Sequence, residues 1–287
     1  MISMLNLFTA LMAEGEEALS KSGSSTPELD SQLLLAHVLG MERARMLVDP
    51  PEEIPLAARE LFRRMLSRRA AGEPLFYITG SKGFHNYVFG VSPSVLIPRP
   101  ETEELVEAVL SRFSNEPPMS AADVGTGSGC IAVTLGLERP SWRVTALDVS
   151  ENALDVAREN ARRLGATNVE FARSDLLSGV KGNFDLVVSN PPYVDFAQSE
   201  SLQVEIREHE PPVALYADEG GLKVIRDLVA QSADRLKPGG AFFCEMGFDQ
   251  KTAVEKLFDP AVWGGLEFLK DLSGHCRVAT ARKKWTR

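Results

Sequence analysis

The residues best placed to do chemistry stand together at Val187-Val188-Ser189-Asn190-Pro191-Pro192-Tyr193-Val194. An apolar, strand-like run starting at Phe184 ends there in an amide, two prolines and an aromatic ring. Proline cannot donate to a sheet ladder, so the strand must stop. Each proline also presses the residue before it towards extended backbone, which holds Asn190 and Pro191 in a stiff, non-helical loop. A rigid loop at the carboxyl end of a buried strand is where open α/β sheets bind ligands. The loop offers the Asn190 side-chain amide, the Pro191 carbonyl and the faces of Pro192 and Tyr193, but no nucleophile, metal ligand or strong base. Such a set can hold and align a group that carries N–H donors; it cannot attack one.

A second cluster begins earlier, at Asp123-Val124-Gly125-Thr126-Gly127-Ser128-Gly129-Cys130. A glycine turn between a strand and a helix lets backbone N–H groups approach a ligand closely. The spacing is G-x-G-x-G and not the G-x-G-x-x-G of dinucleotide sites, which weakens a nicotinamide reading. The next apolar run ends in Leu147-Asp148, where nucleotide-binding folds place an acid on ribose hydroxyls. The third offers Ser174-Asp175-Leu176, an acid that an adenine amino group would satisfy, with Leu176 or Leu177 covering the ring. Asp123, Asp148 and Asp175 thus fall at three consecutive strand ends.

The elements that must position these groups follow from hydrophobic patterning. From residue 120 onward short apolar runs (121–124, 144–147, 169–172, 184–188, 241–244) alternate with helical stretches such as 151–164 and 222–236. That alternation implies a mainly parallel sheet with helices on both faces. Residues 1–75 read as helices alone, with apolar stripes at Phe8, Leu11, Met12 and Leu19, at Leu29, Leu33 and Ala36, and at Ala58, Leu61, Phe62 and Met65. The last of these helices carries Arg59, Arg63, Arg64, Arg68 and Arg69 beside Glu60, either a solvated face or a docking surface for an acidic partner. Residues 76–98 read as a β-hairpin linker, its strands at 76–80 and 87–91 around Ser81-Lys82-Gly83. The stiff Pro98-Arg99-Pro100 corner leaves Arg99 either to pair with Glu101 or Glu103 or to line the mouth of the site.

Composition narrows the function classes. The chain has 287 residues, 44% apolar and 25% charged, as in ordinary soluble proteins. No stretch approaches the ~18 apolar residues of a membrane span, and the N-terminus does not read as a signal peptide. Three separated cysteines and four scattered histidines give neither a disulfide framework nor a metal pattern. A reducing cytoplasm is the expected compartment, with no metal and no membrane partner. The net charge of −9 argues against a large nucleic-acid footprint.

Together, the glycine turn, the ribose acid and the Asn-Pro-Pro-Tyr loop resemble class I S-adenosylmethionine-dependent methyltransferases that act on a planar amide or exocyclic amine. Phe76-Tyr77-Ile78-Thr79-Gly80, the stretch from Val95 to Glu103 (VLIPRPETE), Glu208-His209-Glu210-Pro211 and the tail around Asp271-Leu272-Ser273-Gly274 and Arg277-Val278 are similar to the bacterial release factor glutamine methyltransferases, the PrmC/HemK family. The resemblance covers nearly the whole chain. It departs at Gly220-Gly221-Leu222, where Asp-Gly is usual, and at His275-Cys276, where Asn-Asp is usual.

The resemblance implies a Rossmann-like fold with a seven-stranded, mostly parallel sheet at 99–287, after a helical substrate-docking domain at 1–75. It implies S-adenosylmethionine as cofactor, leaving as S-adenosylhomocysteine, and a class I peptide-chain release factor as partner, methylated at the glutamine of its Gly-Gly-Gln loop. Gly125, Thr126, Gly127, Ser128, Gly129, Asp148, Asp175, Leu176 and Asn190 would then hold the cofactor. Asn190, Pro191, Pro192, Tyr193 and Arg99 would hold the substrate, with Asn190, Pro191 and Tyr193 the catalytic set. The same loop serves DNA adenine-N6 methyltransferases, but those need a basic groove and a base-flipping domain. Glutamine methylation of a ribosomal protein is a nearer rival.

Overall fold

The computed structural model describes residues 4–113 and 117–285. It divides into two compact units, one of Met1–Gly80 with Val204–His209, the other of Ser81–Gln203 with Glu210–Arg287.

The first unit is helical: α1 (Met4–Lys21), α2 (Pro27–Leu39), α3 (Arg43–Val48), α4 (Leu56–Ala70) and α5 (Leu75–Thr79). Leu11, Leu19, Leu34, Leu35, Met46, Phe62 and Leu66 form its core. The buried stripes differ in part from those expected, since Leu29 and Leu61 are exposed. The strand expected at 76–80 is instead helix α5. It buries Leu75, Tyr77 and Ile78 and stops at Gly80 in the left-handed region (φ 73°). A five-residue apolar run carries no periodicity that separates strand from helix, and packing decides. The basic face of α4 is largely neutralised within its own unit. Arg63 pairs with Glu14 at 2.6 Å and Arg68 with Glu73. Buried Arg69 pairs with Asp30 at 2.7 Å and with Glu205.

The second unit opens with a hairpin of β1 (Ser81–Phe84) and β2 (Tyr87–Gly90), whose turn is His85-Asn86 and not Ser81-Lys82-Gly83. The main sheet contains β3 (Ser120–Val124), β4 (Arg143–Asp148), β5 (Val169–Arg173) and β6 (Phe184–Ser189). Beyond the short parallel pair β7 (Val194–Asp195) and β8 (Tyr216–Ala217), it is completed by β9 (Leu236–Glu245), β10 (Trp263–Lys270) and β11 (Cys276–Lys283). Its order is β10-β11-β9-β6-β3-β4-β5. The pairs among β3, β4, β5, β6 and β9 are parallel, and only β11 runs against its neighbours. This is the seven-stranded, mostly parallel sheet the sequence resemblance implied.

Both faces of the central strands are covered, which is why β3, β4, β6 and the second half of β9 are mainly apolar. Leu186 and Val188 of β6 and Phe243 of β9 pack with helices α6 (Pro100–Arg112) and α7 (Cys130–Glu138) through Leu105, Val109, Ile131 and Leu135. Val187 and Phe242 face the other way, onto Ile225, Leu228 and Val229 of the helix Lys223–Arg235. Winding runs outward from β3 to β5, then returns to place β6 on the other side of β3. The crevice beyond the carboxyl ends of β3 and β6 is therefore the topological switch point, where such sheets take their ligands.

Candidate active site

Four strand ends, those of β3, β4, β5 and β6, meet at that crevice, and each is fixed by its own local chemistry. After β3 the chain must turn sharply from strand into α7. Gly125, Gly127 and Gly129 take φ of 73°, 53° and 82°, values an L side chain adopts only under strain. The turn is pinned to β4 because Gly125 and Thr126 both donate to the Leu147 carbonyl at 2.8 Å. It is pinned from below by Asp123, which is fully buried. Asp123 Oδ2 accepts from the Thr126 hydroxyl at 2.6 Å and from the Ala132 N–H at 3.0 Å. Burial pushes the Asp123 carboxyl up to about 7, against the pull of those donors. Asp123 is thus a brace beneath the turn. A Cβ on Gly129 would stand 3.0 Å from Cβ of Ala157, whereas at Gly127, which lines the cleft, it would meet nothing within 4 Å.

At the end of β4, Asp148 Oδ2 accepts from Gly127 N–H and Oδ1 from Ser150 N–H, each at 2.9 Å. Burial raises its carboxyl above the ordinary aspartate range, partly offset by the N–H groups of Ser150, Gly127 and Val149. Among the described residues only Gly127 and Ser150 hydrogen-bond to it with full geometry, one to each oxygen, so each oxygen keeps a further lone pair. After β5, Asp175 and Leu176 line the same cleft, Leu176 in a left-handed turn (φ 51°). Leu177 is buried in the core, so Leu176 is the one available to cover a ring.

The Asn190 loop lies across the switch point from the glycine turn. Ser189 ties β6 to β3 by donating to the Val124 carbonyl at 2.6 Å. Asn190 Nδ2 donates to Thr102 Oγ1 at 2.9 Å, and Thr102 donates to Glu245 at 2.7 Å. Among the described residues Asn190 Oδ1 accepts no hydrogen bond. Asn190 and Pro192 line the cleft, while Pro191 and Tyr193 are outside its lining. The Tyr193 hydroxyl donates to Glu245 at 3.1 Å and its carbonyl accepts from Gln250 at 2.9 Å. Burial, then the Glu245 charge, raises the Tyr193 phenol. A Cβ at Gly221 would come within 2.1 Å of that same carbonyl, so glycine is kept where the stretch 220–222 otherwise departs from the family pattern.

Arg99 takes neither pairing expected of it. It donates to Glu210 at 2.6 Å, a carboxylate buried beneath the cleft rim, and itself lines the cleft. Glu101 and Glu103, the nearer acids in sequence, sit in the first turn of α6.

Together these residues enclose a cleft of about 260 Å³. Gly125, Thr126, Gly127, Ser128, Asp148, Asp175, Leu176, Asn190, Pro192 and Arg99 all line it. The one thiol on its wall, Cys130, is pushed up to about 12 by burial and carries no thiolate at neutral pH. Among the described residues no cluster of acids, histidines and cysteines could hold a metal ion, and no helix is long and apolar enough to cross a membrane. The sequence reading missed Thr102 and Glu245. Glu245 had a visible signal: it is an acid directly after the apolar run 241–244, as Asp148 is after the run that ends in Leu147.

The site and fold can be set beside known proteins. Residues 10–80 match the family model described as the PrmC N-terminal domain, and residues 103–208 match the methyltransferase small domain. The release factor glutamine methyltransferase of Koribacter versatilis is 41% identical over 267 residues, which span 92% of this chain and 94% of that protein. That of Neisseria gonorrhoeae is 42% identical over 262 residues, 90% of this chain and 94% of its own. Among solved structures, the T. thermophilus 16S rRNA N2 G1207 methyltransferase, in complex with AdoMet and guanosine, superposes with a TM-score of 0.52 at 22% identity. The match covers 71% of this chain and 50% of that one, and at this identity speaks for the fold alone. With relatives so similar over more than nine-tenths of their length, this chain belongs to the release factor glutamine methyltransferase family.

Proposed function

We propose that this protein transfers a methyl group from S-adenosylmethionine to the side-chain amide nitrogen of the glutamine in the Gly-Gly-Gln loop of a class I peptide-chain release factor. The observation that carries the reading is the Asn190-Pro191-Pro192 loop, which lies at the switch point beside a glycine turn and the Asp148 carboxylate. The cleft suits the cofactor on its own chemistry. Gly127 leaves open space where a side chain would block a ligand, and Asp148 keeps a lone pair on each oxygen for a vicinal diol. Asp175 offers an acceptor for an exocyclic amine and Leu176 an apolar cover. When bound, the cofactor supplies an electrophilic methyl on a positively charged sulfur.

The chain's own residues then have a limited task. An amide nitrogen is a poor nucleophile because its lone pair is delocalised into the carbonyl. Asn190 Oδ1 and the Pro191 carbonyl accept its two hydrogens and so aim the lone pair along the line of transfer. Fixed acceptors also favour the positive charge that builds on nitrogen, and they do so without reorganising. Tyr193, turned to Glu245, buttresses the loop, and Arg99, locked by Glu210, shapes the rim. The proton departs afterwards to solvent, which asks for no general base. The helical unit at 1–75 is the part we assign to docking the protein substrate, and the cytoplasm is the compartment such a substrate implies.

The test is direct. Purified protein is incubated with isotopically labelled cofactor and a mixture of release factor, ribosomal proteins and DNA, and the label is mapped by mass spectrometry. Label on the glutamine of the Gly-Gly-Gln loop is expected; label confined to a ribosomal protein or to adenine would overturn the reading.

A further inference from the structure

A side-chain amide has two edges of almost the same shape, one an acceptor and the other a donor. Only the acceptor edge of Asn190 can receive a substrate N–H, so something must decide which edge faces the cleft. Glu245 closes β9 beside the Asn190 loop, where β9 and β6 are paired with Ser189 opposite Cys244. Its side chain is buried, as is Thr102 in the first turn of α6. Glu245 Oε2 accepts from the Thr102 hydroxyl at 2.7 Å and Oε1 from the Tyr193 hydroxyl at 3.1 Å.

The polarity of this chain is forced by the carboxylate. Ionised, Glu245 can only accept. Thr102 must then spend its single hydrogen on Glu245 and can offer Asn190 only a lone pair. Asn190 must therefore point Nδ2 at Thr102, the 2.9 Å bond observed, and leave Oδ1 towards the cleft. We propose that Glu245, acting through the Thr102 hydroxyl, is the positioning residue that fixes which edge of the Asn190 amide meets the substrate. The inference rests on the reading of Asn190 as the acceptor for the glutamine amide.

The direction of the relay depends on the charge of Glu245. The groups that face it are the hydroxyls of Thr102 and Tyr193, Glu101 on α6 and Arg277 on β11. Arg277 is itself paired with Asp271 at 3.1 Å. The nearby thiols of Cys130 and Cys244 are both raised by burial and stay neutral. Burial pushes the Glu245 carboxyl up to about 7, helped by Glu101 and opposed by the two hydroxyls and Arg277. Protonated on Oε2, Glu245 donates to Thr102, whose hydrogen is released towards Asn190 and is accepted by Oδ1. The amide then turns its donor edge to the cleft, and two N–H groups meet. Methyl transfer therefore falls on the acid side as Glu245 takes up its proton.

Single-turnover transfer to release factor, with saturating cofactor and across about pH 5.5 to 9, separates the possibilities. Thr102→Val removes the hydroxyl while keeping the shape, Thr102→Ser keeps the hydroxyl, and Glu245→Gln removes the charge. Expected are a fall of about tenfold or more in rate for T102V and E245Q, with calorimetric cofactor affinity within about threefold. T102S should recover most of the rate, and the acid limb seen in wild type and T102S should be absent from E245Q. T102V as fast as wild type, or T102S as slow as T102V, overturns the relay. If E245Q does not fold, the T102V and T102S pair decides alone. Asn190→Ala distinguishes the two levels. A slow N190A with a fast T102V refutes the relay only, whereas a fast N190A refutes the reading of Asn190 beneath it.

Discussion

Asp148 offers the most quantitative test of how the cleft holds its cofactor. Each carboxylate oxygen already accepts one backbone N–H at 2.9 Å and has one lone pair left for a ribose hydroxyl. In Asp148→Asn one oxygen becomes an NH2, and whichever way the amide turns it meets Gly127 N–H or Ser150 N–H donor to donor. A hydrogen bond to a charged acceptor, worth about 1.5–3 kcal/mol, is lost or weakened to a neutral one. At 1.4 kcal/mol per tenfold, cofactor affinity should fall about 10- to 100-fold. Asp148→Ala removes both acceptors and leaves Gly127 N–H without its partner, so its loss should be larger. Calorimetric titration measures the affinity, and a 2′-deoxy analogue isolates the contact. The analogue should bind wild type more weakly than the parent compound but bind D148A about equally well. Because burial raises the Asp148 pKa, the carboxylate is lost at a higher pH than for an exposed aspartate, and affinity should drop with it as pH falls. Affinities within twofold of wild type in both variants, or an equal deoxy penalty in wild type and D148A, would refute the assignment.

Other expectations follow from the same geometry. Gly127→Ala and Gly129→Ala should separate binding from folding. Both need a left-handed residue, at about 1–2 kcal/mol, but only the methyl added at position 129 also crowds Ala157. G127A should therefore lose mainly cofactor affinity and G129A mainly thermal stability, as calorimetry and thermal denaturation would reveal. Arg69→Met should destabilise the protein by about 3–5 kcal/mol in urea unfolding, because Asp30 and Glu205 are left without their shared cation. Asp123 has a folded pKa of about 7, above the ordinary carboxylate value of 3.8. The stability tied to its neutral form is fully present below the ordinary value and is lost as pH rises through about 7. With about 1.4 kcal/mol per unit, this amounts to about 4 kcal/mol at most. Asp123→Asn should flatten that part of the stability–pH profile; an unchanged slope between about pH 4 and pH 8 would contradict it.

Much of the catalytic unit was legible in the sequence because the physics there is local. A strand buried on both faces must be mostly apolar, so β3, β4, β6 and the second half of β9 announce themselves and the residues just after them follow. Gly125, Gly127 and Gly129 mark a turn that needs positive φ, and the paired prolines mark a loop that cannot continue a ladder. What the sequence hid is what the fold brings together from afar. Thr102 reaches Asn190 across 88 residues and Glu245 across 143, and Arg99 finds Glu210 across 111. None of those pairings has a spacing to read, and the nearer acids at 101 and 103 pointed elsewhere. In the helical unit, α3 is too short to show a period, and α5 is an apolar run whose form is set by packing. The basic face of α4 looked unpaired because its partners Glu14, Asp30 and Glu205 lie on other elements.

The central claim is that methyl transfer here proceeds by holding an amide still, with Asn190 as the fixed acceptor. Single-turnover transfer by Asn190→Ala to intact release factor, at saturating cofactor, tests it most directly. The expected result is a fall of about 100-fold or more in the rate of label appearing on the Gly-Gly-Gln glutamine, with the protein folded and cofactor still bound. Transfer at the wild-type rate would contradict it.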